Sequence, residues 1–444
     1  MKAKNKTIAM VEIAVVLFSV FLVALPVMAI ATEQTAQKAS TSTITTASGD
    51  DYVLDIYGNA NEDDTIDMRD LTYVKLIFFG KKPETELADA KYDGKINPLD
   101  FIQIKLIIVG KEKEITIVDS ADRIVTVKKP IKSIVCTIHH HVETLRSIKV
   151  QKSLIVGLPD STIKFTSYFP EFGDVPSIGN TFSPDVERIL TLRPDVVLIF
   201  PSTRGSGSTQ IVEKLEAADM PVLCFKCNIP TSYVEEIRKL GYIFGKVDEA
   251  NEFIDFYEGF LNPIEEKVED IPEGDKPKVY CEYMPYTTNP KSDNYPITQA
   301  GGKNIFAGMP TGKVDPEAVA ISNPDVIVRI VYDEVDAWAA GDITKLREAR
   351  TEMMDRLILQ NVPALKNERV YTITSPFWTY LPYSGCRHFI GVGYLAKWFH
   401  PELFKDMDPK AIHQEYLTRF QGLDYDLDKR GIFVYHPEEH PDGH

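Results

Sequence analysis

Cysteine is scarce in this chain: five residues in 444, at Cys136, Cys224, Cys227, Cys281 and Cys386. An odd number at this spacing excludes a disulfide scaffold. Cys224-Phe-Lys-Cys227 is a C-x-x-C pair, but it ends an apolar strand-like run and lacks the second Cys or His pair of a zinc site. A local disulfide or two quiet thiols is the expectation there. Positive charge is also in deficit, with 49 Lys and Arg against 65 Asp and Glu and a net charge of -16. No long basic run follows the first six residues, which argues against nucleic acid as the main partner. Catalytic signatures are missing too: there is no G-x-S-x-G, no H-E-x-x-H and no phosphate-binding glycine loop. The expectation is a binding protein rather than an enzyme.

Long hydrophobic runs are absent but for one. Lys2, Lys4 and Lys6 precede an uncharged stretch from Ile13 to Ile30, which Pro26 interrupts and Ala29-Ile30-Ala31 closes. This pattern reads as a secretory signal peptide, or as an N-terminal anchor, over residues 1–31. No Cys lies near the cleavage pattern, so lipidation there is not expected. The chain is expected to be extracytoplasmic, secreted or held to the membrane by this segment. Residues 32–50, rich in Thr, Ser, Ala and Gln, read as a flexible linker.

Residues 51–112 hold a duplicated unit, each copy an acidic loop running into an apolar helix that ends at Gly80 or Gly110. Oxygen-bearing side chains fall at Asn59, Asn61, Asp63, Asp67 and Asp70 in the first loop. In the second they fall at Asp89, Asp93, Asn97 and Asp100. Offsets of 0, 2, 4, 8 and 11 converge oxygens on a hard cation such as Ca2+. The region resembles a type I dockerin, and the resemblance implies calcium as cofactor and a cohesin-bearing partner. Asn59 stands where that family has Asp, and Lys91 takes a ligand position of the second loop.

From residue 113 short apolar runs alternate with helical patterns, which implies parallel sheets covered by helices. A second repeat lies here. Ser183-Pro-Asp-Val-Glu-Arg-Ile-Leu-Thr-Leu-Arg-Pro-Asp-Val-Val-Leu parallels Val314-Asp-Pro-Glu-Ala-Val-Ala-Ile-Ser-Asn-Pro-Asp-Val-Ile-Val, aligning Glu187 with Glu317 and Pro194-Asp195 with Pro324-Asp325. Two similar lobes follow from this, at 113–247 and 272–405. Residues 248–271 form a long helix between them, and a C-terminal extension spans 406–444.

Other motifs stand in order: the opening Ile115 to Val127 segment, Ile131-Lys-Ser-Ile-Val, Pro176-Ser-Ile-Gly-Asn180, Ala300-Gly-Gly-Lys-Asn-Ile-Phe306 and Val362-Pro-Ala-Leu-Lys-Asn-Glu-Arg-Val-Tyr371. With the repeat they make residues 115 to about 405 resemble the solute-binding proteins of iron-siderophore, haem and vitamin B12 importers. The fold implied is α/β, two Rossmann-like lobes joined by a long helix, preceded by the small all-α calcium-loop domain. The function implied is capture of a metal chelate, an iron complex or a corrinoid, for an ABC transporter permease. Glu187 and Glu317 then sit where that family docks on permease arginines.

Positions after the strands are the expected ligand contacts. They include His139 and His140 of a His139-His140-His141 run, Asn180 and Thr181, Tyr283 and Tyr286, and Arg329. An aromatic cluster near the last strand adds Trp378 and Tyr380, with Arg387 beyond it. Imidazole is the commonest metal ligand, and aromatic rings with Arg suit flat macrocycles and anionic chelates. Two other readings remain at this point: a dockerin-bearing polysaccharide-active enzyme, which needs paired carboxylates across a cleft, and a cell-surface scaffold protein.

Overall fold

The computed structural model describes residues 52–201, 207–331, 337–339, 341–374 and 385–438. The signal or anchor segment, the linker, and the expected contacts Trp378 and Tyr380 lie outside the described residues. Among the described residues no helix is long and apolar enough to cross a membrane.

The duplicated unit folds as two matched loop–helix pieces. Helix α1 (Met68–Phe78) and helix α2 (Pro98–Ile108) each begin with a reciprocal capping box, Asp67 with Asp70 and Asn97 with Asp100. Asp70 accepts the N–H groups of Asn61 and Asp67 at 3.2 and 2.7 Å, and Asp100 accepts those of Lys91 and Asn97 at 2.9 and 2.8 Å. The two loops are thus closed by the same bonds at the same offsets.

This unit is not a free bead on a linker. Ile56 bridges Ile117 in antiparallel fashion, and Tyr57 N–H donates to Thr116 O at 2.9 Å. The Ile66 N–H donates to the Tyr242 hydroxyl at 2.9 Å, and Lys239 Nζ lies 3.4 Å from the Asp55 carboxylate. One apolar core runs from Leu54 through the lobes to Val434. Burying the unit's inner face against the hairpin β1–β2 (Glu114–Val118, Ile124–Lys128) removes apolar surface from water at roughly 25 cal/mol per Å2.

The first lobe carries a four-stranded parallel sheet of β3 (Ile134–Cys136), β4 (Ile155–Gly157), β5 (Val196–Ile199) and β6 (Val222–Cys224), in the order β4-β3-β5-β6. The second repeats it with β7 (Lys278–Glu282), β8 (Lys303–Asn304), β9 (Val326–Val331) and β10 (Val370–Thr374), in the order β8-β7-β9-β10. The Pro-Asp repeat does the same local work in both. Asp195 accepts the N–H groups of Lys132 and Ser133 at 2.6 and 3.0 Å, and Asp325 accepts that of Lys278 at 2.9 Å. Each carboxylate therefore ties the start of one strand to the strand beside it.

The inter-lobe helix runs Val247–Glu269, 23 residues with Pro263 inside, about 35 Å long. The helix before it, Pro230–Phe244, ends at Gly245 in the left-handed conformation (φ +64) that favours glycine.

The C-terminal extension packs on both lobes. Val434–Tyr435 joins that lobe's sheet as an antiparallel fifth strand beside β10. Before reaching it, the chain crosses the first lobe. There Gln421 Nε2 donates to Ser147 Oγ at 2.7 Å, and Arg419 pairs with Glu252 of the inter-lobe helix at 3.0 Å. The tail is a strap over both lobes.

Candidate functional site

The lobes meet where β3 gives way to the helix His139–Ser147. The three histidines start this helix rather than forming a solvated loop: His140 and His141 are buried, and His139 is half-buried with its Nε2 fully so. His141 Nε2 is 2.8 Å from Phe225 O, which fixes that ring onto the end of β6. The His139 and His140 rings lie 4.1 Å apart, centre to centre.

The same helix carries Glu143, fully buried. Arg387, from the second lobe's last helix Gly385–Phe399, reaches its Oε1 at 2.9 Å. The hydroxyls of Tyr168 and Tyr416 donate to that same oxygen at 2.8 and 2.7 Å. Tyr168 stacks on Trp338 at 4.2 Å, and the Arg387 guanidinium lies over both rings at 5.4 and 5.7 Å. Trp338 packs in turn on Phe433, at 4.7 Å. The site thus draws on the first lobe, the second lobe and the strap.

Electrostatics keep the imidazoles neutral. Burial, then the Arg387 charge, lowers His139 to about 3, and the same two causes lower His413 to about 3. Burial lowers His141 to about 4. His140 is pushed down by burial, then by His139 and Arg387. A neutral imidazole has a lone pair for a metal, while the Arg387 charge is met by Glu143. Among the described residues no three His, Cys, Asp or Glu gather closely enough to hold a bare metal ion.

Other expected contacts are placed elsewhere. Asn180 is exposed and its side chain caps Phe182 N–H at 2.9 Å, while the Thr181 hydroxyl meets Ser161 at 2.9 Å. Both lie on the first lobe's rim. Arg329 spends its guanidinium on the carbonyls of Tyr283 and Ile330 and on the buried Glu282. The Tyr283 hydroxyl donates to Asp293, and the Tyr286 ring lies 4.5 Å under Arg356. These three residues bind their own lobe together instead of presenting polar groups to the histidines. Glu143, Tyr168, Trp338 and Tyr416 escaped the sequence reading. Glu143 alone left a trace, four residues after His139 and so on the same helix face.

Glu187 and Glu317 are both exposed, in the first turn of matched seven-residue helices, Val186–Leu192 and Pro316–Ser322. In the acidic loops Lys91 turns away to pair with Glu114. Arg69 meets Asp63 and Asp67 at 3.1 and 2.9 Å, and burial raises Asp70 to about 6. Within the loops Asp63 accepts the Thr65 N–H, and Asp89 accepts those of Asp93 and Gly94.

Two sheet-bearing lobes joined by a long helix are the architecture of the first and second halves of this chain. The profile of the periplasmic binding protein family matches residues 134–377, and the chain belongs to that family. It is 29% identical over 304 residues to the uncharacterized ABC transporter substrate-binding lipoprotein YvrC of Bacillus subtilis, covering 66% of this chain and 87% of that one. It is 22% identical over 358 residues to the molybdate-binding protein MolA of Haemophilus influenzae, covering 70% and 92%. The solved TroA-like periplasmic binding protein FepB of Veillonella parvula superposes with a TM-score of 0.60 at 25% identity, over 72% of this chain and 99% of that one. The protein is therefore a non-enzymatic, extracytoplasmic component of an ABC transporter that binds a solute and partners a permease.

Proposed function

We propose that the lobe junction captures a metal chelate, an iron-siderophore, haem or corrinoid, and presents it to the permease. The observation that carries this reading is the run His139–His141 at the lobe junction, imidazoles held neutral by burial beside the Glu143–Arg387 ion pair. A relative named for binding molybdate fits the same chemistry, a metal in an anionic shell. Glu187 and Glu317, one per lobe and both exposed, are the docking carboxylates. Two charges on separate lobes read the lobe spacing and steer the encounter.

The test mixes the purified full chain with haemin, cyanocobalamin, a ferric catecholate siderophore and molybdate, and records native mass spectra and absorbance. A one-to-one complex with a chelate supports the reading. Binding of molybdate alone would replace the chelate with an oxyanion, and no complex with any of the four would overturn the ligand class.

The 52–112 unit serves, in this account, as a calcium-dependent contact for a cohesin-like protein. Its support is the pair of identically closed acidic loops and the exposed Phe79, Leu99, Ile102 and Val109 on its helices. Calorimetric titration with CaCl2 checks the metal: heat that saturates at one or two ions supports it, and a flat trace removes it.

A further inference from the structure

Glu317 has apolar neighbours that Glu187 lacks. Ile321 lies four residues on, one turn along the same face of the helix Pro316–Ser322, and is 81% exposed. The short turn Leu357–Leu359 packs beside that helix. Leu359 is buried in the core that also holds Val319 of the helix, while Leu357 and Ile358 stay in water, Leu357 at 89% exposure. The first lobe has no counterpart. Thr191 stands where Ile321 does, since 191 − 187 and 321 − 317 are both 4, and its hydroxyl turns back to donate to Glu187 O at 2.8 Å.

Leu357 stands on a fixed base. The guanidinium of Arg356, just before it, donates to both oxygens of the buried Glu282 at 2.7 and 2.8 Å and to those of Glu352 at 2.9 and 2.8 Å. Past the turn, Gln360 Nε2 donates to Met354 O at 2.6 Å and the Val362 N–H to Leu359 O at 3.1 Å. The backbone under Leu357 is thus set before any partner arrives, and covering its side chain loses little ordering entropy. Removing aliphatic surface from water is favourable in proportion to its area. An exposed aliphatic cluster rimmed by polar groups marks a contact surface.

We propose that Ile321, Leu357 and Ile358 form an apolar anchor for the permease, set beside Glu317 and carried by the second lobe alone. The proposal rests on the reading of Glu187 and Glu317 as docking carboxylates. The permease is the occupant because the patch continues the surface of Glu317 on the same helix and the turn packed against it. Its side of the contact is an apolar depression next to a basic side chain. The two groups divide the work. Exposed carboxylates steer the encounter and are screened by salt. The aliphatic contact slows dissociation and is not screened. The docking ends are therefore unequal: charge alone on the first lobe, charge and apolar contact on the second.

The experiment passes the full chain over the cognate permease held in nanodiscs and records surface plasmon resonance for wild type, Ile321→Ser/Leu357→Ser, Thr191→Ala, Glu187→Lys and Glu317→Lys. The double variant is expected to dock roughly tenfold more weakly, through faster dissociation, while Thr191→Ala docks as wild type. These side chains are exposed, so the fold tolerates the changes, and equal melting temperatures and solute affinities check that. Wild-type docking by the double variant, with Glu317→Lys impaired, would overturn the anchor and leave the carboxylate reading in place. Weak docking by the double variant, with both Glu variants at wild-type strength, would keep the anchor and remove the carboxylates. A wild-type dimer in light scattering that the double variant abolishes, with docking unchanged, would give the patch to a second copy of this chain and overturn the proposal.

Discussion

Glu143 and Arg387, from opposite lobes, form a fully buried ion pair at 2.9 Å, and the Glu143 oxygen that makes it also takes the hydroxyls of Tyr168 and Tyr416. Removing one member of such a pair strands the other charge in a dry interior. Glu143→Ala is expected to cost about 3–5 kcal/mol of stability in urea unfolding. A loss under about 1 kcal/mol would show that water reaches the junction and that the lobes are not held by this contact.

The strap makes a separate prediction. Tyr416 lies in a five-residue π-helical turn, Tyr416–Phe420, set on the first lobe, a distortion often found at functional positions. Tyr416→Phe removes one hydrogen bond to a charged oxygen, so a stability loss of roughly 1.5–3 kcal/mol is expected. Solute release should quicken in stopped-flow measurements, since the strap resists parting of the lobes. Unchanged release with lowered stability would confine the strap to a folding role.

The buried histidines predict an acid-sensitive fold. Their folded-state values lie below the ordinary imidazole value, about 4 for His141 and about 3 for His413. The unfolded chain therefore takes up protons first as pH falls below about 6.5. The contribution is complete above that pH and is lost on the way down to pH 4, at about 1.4 kcal/mol per pH unit for each imidazole. Urea midpoints at pH 8, 6.5 and 5 should be level between the first two and fall at the third, with a shallower fall in His141→Gln.

Much of this architecture is written in the sequence, and the reason is local. The Pro194-Asp195 and Pro324-Asp325 turns mark the two lobes because each Asp bonds the backbone of an adjacent strand. The paired helices after the acidic loops are visible because capping boxes and terminal glycines are short-range signals. The site was less legible. The His run is visible as three adjacent imidazoles, but Glu143, Tyr168, Trp338 and Tyr416 meet only through tertiary packing, with no spacing to connect them. The strap's strand is two residues long, too short for any alternation of polar and apolar positions to show. The pairing of Arg329 with the buried Glu282 is not legible either, because an Arg at a strand end looks the same in sequence whatever it faces.

If Glu187 and Glu317 dock the permease, transport can be separated from capture. Glu187→Lys and Glu317→Lys are each expected to leave solute affinity within twofold. Solute-dependent stimulation of permease ATPase activity should fall at least tenfold. Loss from only one variant would contradict docking through both lobes.

The most direct test of the account is calorimetric titration of the tightest-binding of haemin, cyanocobalamin, the ferric siderophore and molybdate into wild-type protein and a His139→Ala/His140→Ala variant whose circular dichroism confirms folding. A solute held by the imidazoles at the lobe junction predicts one-to-one binding in the wild type and at least a hundredfold loss in the variant. Equal affinities would place the solute elsewhere and contradict the assignment of this junction as the binding site.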